Sequence, residues 1–135
     1  MLDQVHSFPV QVYYEDTDFT GVVYHANYLK YFERAREHLL GVEALVKLYE
    51  EQGVGFVVYK AELRFKEGMR FGDRLEVRTR VTVPSEYRAV FDQSIWRDGQ
   101  GPKVEGRVEL CCVNREGRLV PLPDLRKPRH EGSVG

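Results

Sequence analysis

The sequence predicts an α+β domain, a helical segment followed by a long antiparallel meander, and three observations carry that prediction. Between Tyr24 and Gly53 apolar residues recur at helical spacing. After Gly55 the period switches to two and stays there. The alternating runs are separated by short turn-forming clusters, which join antiparallel neighbours and are too short for parallel crossovers.

Taken in order, residues 5–14 alternate with Phe8, Val10, Val12 and Tyr14 on one side, which predicts a strand, and Pro9 suits an edge or early position. An acidic turn follows, with Glu15, Asp16 and Asp18 ahead of Gly21. From about Tyr24 to Leu40, the residues Tyr24, Tyr28, Tyr31, Phe32, Ala35 and Leu39 form one apolar stripe, and Gly41 supplies a stop. Residues 42–51 predict a shorter second helix ending near Gly53.

In the segment 55–65, Val57, Tyr59, Ala61, Leu63 and Phe65 share one face by alternation. Leu75, Val77, Thr79, Val81 and Val83 do so in the next strand, then Tyr87, Ala89, Phe91, Gln93 and Ile95, then Val104, Val108, Leu110 and Cys112. Residues 66–68, Pro84-Ser85, 98–101 and 114–117 carry the turn chemistry. Strands of ten to twelve residues reach roughly 33–40 Å, against ~24 Å for a sixteen-residue helix, so the sheet is expected to curl around the helix. Residues 121–135, rich in proline, charge and glycine, read as a loosely held tail, with the folded domain at 1–123 and the tail proper at 124–135.

With 135 residues the chain has room for one domain. A net charge of −1 gives no basic field, so nucleic acid is not an expected partner. The apolar runs are far shorter than the roughly 20 residues that span a bilayer, and the N-terminus lacks the pattern of a signal peptide. Cys111 and Cys112 are adjacent and neither staple a secreted fold nor offer metal-ligand spacing; His6, His25, His38 and His130 do not either. A reducing cytoplasm is the expected compartment and no metal is expected. One helix on one sheet leaves edges unpaired, which points to a homodimer or homotetramer.

The chemistry concentrates between Tyr14 and Arg36. A carboxylate just upstream of a helix start sits beside free backbone N–H groups that can hold a developing anion. Asp18 can equally be a turn or capping aspartate, and His25 a general acid, an orienting donor or a satisfied ring. Asn27 reads first as a helix cap, and otherwise as a loop or substrate contact. Glu33 reads as an ion-pair partner of a neighbouring arginine or as a residue near a partner's site.

The run EDTDFTGVVYHANYLKYFERAR, residues 15–36, with the segment GFVVYKAELRFKEGMRFGDRLEV further on, resembles the hotdog-fold acyl-CoA thioesterases of the 4-hydroxybenzoyl-CoA thioesterase and YbgC-like group. The resemblance implies a long helix wrapped by a curved antiparallel sheet of about five strands, with sites at a dimer interface. It implies an acyl-CoA thioesterase in which Asp18, the Asp of a D-x-x-G pattern, is nucleophile or general base. Backbone N–H groups near Tyr24 and His25 would form the oxyanion site, with His25 itself catalytic and Gly21, Tyr24 and Asn27 against the substrate. The histidine at position 25 places the chain nearer the YbgC-like branch than the aromatic-substrate branch. Coenzyme A enters as part of the substrate and no separate cofactor is implied. Arg64, Lys66, Arg70, Arg74, Arg78, Arg80 and Arg88 are candidates for its phosphates, although their alternation also fits a solvated strand face. A hydratase or dehydratase of the same fold, and a non-catalytic acyl-thioester-binding dimer, are the alternatives.

Overall fold

A computed structural model describes residue 2 and residues 4–125. The remainder of the expected tail, from 126 on and including His130, lies outside the described residues. Strand β1 (His6–Gln11) leads through a single 3-10 turn (Tyr14–Asp16) and a loop into helix α1 (Asn27–Leu40) and helix α2 (Val42–Gln52). Strands β2 (Gly55–Phe65), β3 (Arg74–Ser85), β4 (Arg88–Arg97), β5 (Pro102–Val113) and the short β6 (Leu119–Val120) follow. The sheet order is β1-β3-β4-β5-β2, antiparallel throughout, with β6 paired to the end of β5. This is the α+β arrangement the sequence predicts, with six strands where about five were expected.

The helices end where glycine permits it. Gly41 (φ 96°) and Gly53 (φ 69°) occupy positive φ, and Gly53 N–H closes the last turn of α2 on Tyr49 O. Helix α1 buries Tyr28, Tyr31, Phe32, Ala35, Arg36 and Leu40. Against them stand Leu75, Val77, Val81, Ala89, Phe91, Ile95, Val104 and Val108 from the centre of the sheet. Gly106 sets the closest approach: a Cβ there would lie 2.7 Å from Phe32 Cε2 and 3.0 Å from Glu62 O, so only a residue without one lets the Phe32 ring settle on the strand.

Three expectations are corrected. Tyr14 does not continue the inner face of β1, because the chain has already turned into the 3-10 segment, and its ring is exposed beside Phe71 (centroids 5.8 Å apart). In β2 the register slips between Val58 and Lys60, placing a bulge at Tyr59. Residues directly opposite one another share a face, so Phe56 and Val58 share the helix-side face of Cys112 and Leu110, although Val58 stays exposed at the sheet edge, while Val57 and Tyr59 lie on the other face. Ala61, Leu63 and Phe65 keep the predicted face, opposite Val108, Gly106 and Val104, but only Leu63 is partly buried there. One extra residue inverts the alternation on one side of it, which a period-two pattern cannot show.

The third correction concerns residues 121–125, which are held. Leu122 N–H donates to Glu86 O at 2.8 Å, and Leu125 is buried in the core. Their apolar side chains outweigh the loop-like composition around them.

Candidate active site

The loop between β1 and α1 is fixed by backbone hydrogen bonds on both of its sides. Val12 N–H donates to Asp73 O (3.0 Å), Gly72 N–H to Val12 O (3.1 Å) and Val23 N–H to Met69 O (2.7 Å). Tyr28 Oη accepts from Met69 N–H (3.1 Å), which ties the first turn of α1 to the same β2–β3 connection. Within the loop, Asp18 N–H donates to Val22 O (2.8 Å) and Gly21 N–H to Asp18 O (3.0 Å). This closes a tight turn that needs the positive φ of Gly21 (86°). The D-x-x-G spacing thus meets a backbone requirement.

Asp18 is half-buried at the tip of that turn. Its Oδ1 accepts from Thr20 N–H (2.8 Å) and Thr20 Oγ1 (2.5 Å). These donations, the Val22 contact and the charge of His25 hold the carboxyl below its ordinary value of 3.8, against a smaller opposing effect of burial. Both hydrogen bonds from Thr20 fall on Oδ1, which leaves Oδ2 out of that contact. Thr20 was not among the expected site residues. Its signal is the D-x-T spacing, since a hydroxyl or N–H two residues on closes a local turn onto an aspartate.

The helix starts later than expected. Tyr24, His25 and Ala26 form a turn, with Asn27 N–H donating to Tyr24 O (2.8 Å) and Tyr28 N–H to His25 O (3.3 Å). Tyr24 is half-exposed and leaves the apolar stripe, its ring beside His25 (4.7 Å). Its N–H donates to Asp16 O (2.9 Å), so it is not the free oxyanion donor that was expected. Among the described residues the N–H groups of His25 and Ala26 have no acceptor, and these are the open donors of the helix start. The exposed His25 ring lies 6.2 Å from that of Phe65 at the end of β2. Asn27 is not the cap, a position held by Ala26 without a side-chain bond. Its Nδ2 donates instead to Asp16 O (2.8 Å), tying the acidic turn to the helix.

Of the basic residues, Lys66, Arg78 and Arg88 are engaged with Glu105, Glu76 and Glu109 along the strands. Arg70 stands at the site, where a Cβ on Gly21 would lie 3.7 Å from its Nη1. Glu33 forms no ion pair among the described residues, contrary to one expectation for it; it lines a cavity of about 250 Å³ together with Arg36 and Glu37. Among the described residues no group of three His, Cys, Asp or Glu side chains is placed to hold a metal ion. No helix of the described residues is long and apolar enough to cross a membrane.

The turn holds a carboxylate beside open helix-start amides, an arrangement that can bind a developing anion, on an antiparallel sheet that carries a helix. The family model of the thioesterase-like superfamily matches residues 12–127, and the chain belongs to that family. Its relatives include the acyl-CoA thioesterase YbgC of Haemophilus influenzae, 43% identical over 124 residues that make up 90% of each chain. The acyl-CoA thioester hydrolase YbgC of Escherichia coli O6:H1 is 38% identical over 112 residues, 79% of this chain and 81% of that one. Among solved structures, a probable thioesterase from Bartonella henselae superposes with a TM-score of 0.81 at 34% identity, covering 89% of this chain and all of its own.

Proposed function

We propose that the protein hydrolyses acyl-CoA thioesters to the free acid and coenzyme A, with Asp18 as its catalytic carboxylate. The observation that carries this reading is the ionised Asp18 carboxylate, pinned through Oδ1 by Thr20, at a helix start whose His25 and Ala26 N–H groups are open. A thioester suits so small an apparatus. Its leaving group is a thiolate, and a thiol of pKa roughly 8.5 departs without obligatory protonation, so no relay of proton carriers is needed. Asp18 Oδ2 either attacks the carbonyl carbon, expelling the CoA thiolate and leaving an acyl-aspartyl anhydride for water to open, or removes a proton from an attacking water. In both routes the carbonyl oxygen becomes an anion, which the His25 and Ala26 amides would stabilise; loss of one such donor costs about 3–4 kcal/mol in enzymes that depend on it. His25 supplies a ring at the substrate's edge, and Gly21, Tyr24 and Asn27 border the site, Asn27 by holding the acidic turn. Coenzyme A enters only as part of the substrate.

We further read the enzyme as a homodimer, or a pair of dimers, formed through β2. That strand ends the sheet and leaves Val57, Val58, Tyr59 and Phe65 exposed, an edge that invites a second strand. The ends of β2 are about 33 Å apart at ~3.3 Å per residue. An antiparallel two-fold pairing would set the Phe65 end of one copy, with its His25, beside the Gly55 end of the other. A cytoplasmic location accords with the free thiols Cys111 and Cys112.

The test is Asp18→Asn. Thiol release from acyl-CoA should fall about 10²–10⁴-fold, the usual contribution of such a group, while the melting midpoint stays close to that of the parent. Turnover near the parent level would reject the role of Asp18. Light scattering should give at least twice the 15.7 kDa of one chain.

A further inference from the structure

The cavity at the far end of α1 contains a feature that thioester hydrolysis alone does not require. Arg36 is only 5% exposed and forms no ion pair, although most charged side chains so deeply placed are paired. Its Nη1 donates to Gln93 Oε1 (3.0 Å), and Gln93 is itself locked, its Nε2 donating to Phe32 O (3.0 Å) and Thr79 Oγ1 (3.0 Å). Among the described residues the guanidinium has no other acceptor. Among the described residues no nitrogen of Arg36 is both fully enclosed and without a partner, so the remaining guanidinium N–H groups reach accessible space. The cavity that Arg36 lines holds about 250 Å³ and is walled by Leu40, Phe56 and Leu110, with the exposed Glu33 and Glu37 on the same helix face.

We propose that this cavity receives the far end of the acyl group and that Arg36 makes the enzyme prefer acyl chains ending in a neutral acceptor oxygen, a hydroxyl or keto group, over plain alkyl chains. The proposal rests on the dimeric thioesterase reading above, because Gly55, Phe56 and Val58 of the cavity lie at the β2 end that the second copy's helix start would reach. Within one chain Arg36 lies about 14 Å along the helix from Asn27, so the subsite and the scissile bond would come from different copies. The volume is at the small end for ligand sites, which suits an acyl tail. A fixed donor in apolar walls discriminates strongly, because an alkyl end leaves the guanidinium unpaired and desolvated. The charges of Glu33 and Glu37 act on Arg36 and offset part of its positive field, which disfavours a free carboxylate.

The experiment compares kcat/KM for hexanoyl-CoA, 6-hydroxyhexanoyl-CoA and adipyl-CoA with the wild type, Arg36→Met and Arg36→Lys. The wild type should favour the hydroxylated over the plain chain by about tenfold or more, through KM. Arg36→Met should bring that ratio near one, and Arg36→Lys should retain part of it. A wild-type ratio near one overturns the proposal without recourse to any variant, as does a ratio that survives Arg36→Met in a protein with an unchanged melting midpoint. Adipyl-CoA preferred over 6-hydroxyhexanoyl-CoA overturns the choice of a neutral oxygen. Failure of the underlying reading has a separate signature, which is no thiol released from any of the three substrates.

Discussion

The two ends of α1 are built on opposite principles. At its N-terminal end, polar backbone does the holding: Asp16, Asp18 and Val22 offer carbonyls, Thr20 and Asn27 offer side-chain donors, and the acidic turn stays open to water. At its C-terminal half, one guanidinium whose internal partner is a neutral amide lines a cavity with Leu40, Phe56 and Leu110 and with two carboxylates at its edge, Glu33 and Glu37. The first arrangement keeps a carboxylate ionised and accessible, which a reaction consuming water needs. In the second, a buried donor faces a small and largely apolar cavity, where an oxygen and a methylene would be told apart. Phe32 joins them, since its carbonyl anchors Gln93 and its ring packs on Gly106.

The contrast can be broken most severely at the open end, where Asp18→Asn removes the proposed catalytic carboxylate and leaves the packing. The next largest effect is expected from Gly106→Ala. The added Cβ meets Phe32 and a backbone carbonyl within 3.0 Å, and overpacking of this kind costs about 1–3 kcal/mol, readable as a lower urea midpoint. Because the strain falls on the shared hub, acyl selectivity and hydrolysis should weaken together, unlike the effect of either end's own variants.

The smallest and most pointed effect concerns Thr20→Val, which keeps the N–H and removes the hydroxyl. Thr20 is the largest cause of the lowered Asp18 pKa, so the variant's acid limb of kcat/KM should move upward toward the ordinary carboxylate value, with the rate near neutrality little altered. The sign for stability follows from the same depression. Asp18 contributes stability above its unfolded pKa, and that contribution drains away as pH falls through the lower folded value. An acid limb that does not move would remove Thr20 from the site.

Much of this was legible in the chain. The 3.6-residue period of Tyr28, Tyr31, Phe32 and Ala35 gave the buried face of α1, and the two-residue period of Leu75, Val77, Thr79 and Val81 gave that of β3, because each is a direct projection of local geometry. The D-x-x-G turn was equally visible, since a glycine three residues after an aspartate is a local demand. What remained hidden depends on partners distant in sequence. Tyr24 appeared to offer a free amide because nothing nearby shows that Asp16 O turns back to take it. Asn27 looked like a cap for the same reason. Tyr59 looked inward because a bulge is a mismatch between two strands and leaves no mark on either alone.

The sequence by itself determined the class of fold, the D-x-x-G turn and the family, since these rest on periodicity and on residues within a few positions of each other. Only the tertiary structure decided which helix-start amides stay open, which face of β2 looks inward, and that Arg36 is set against Gln93, 57 positions away. Those outcomes follow from the satisfaction of buried polar groups, and a donor finds its acceptor only after the chain has packed.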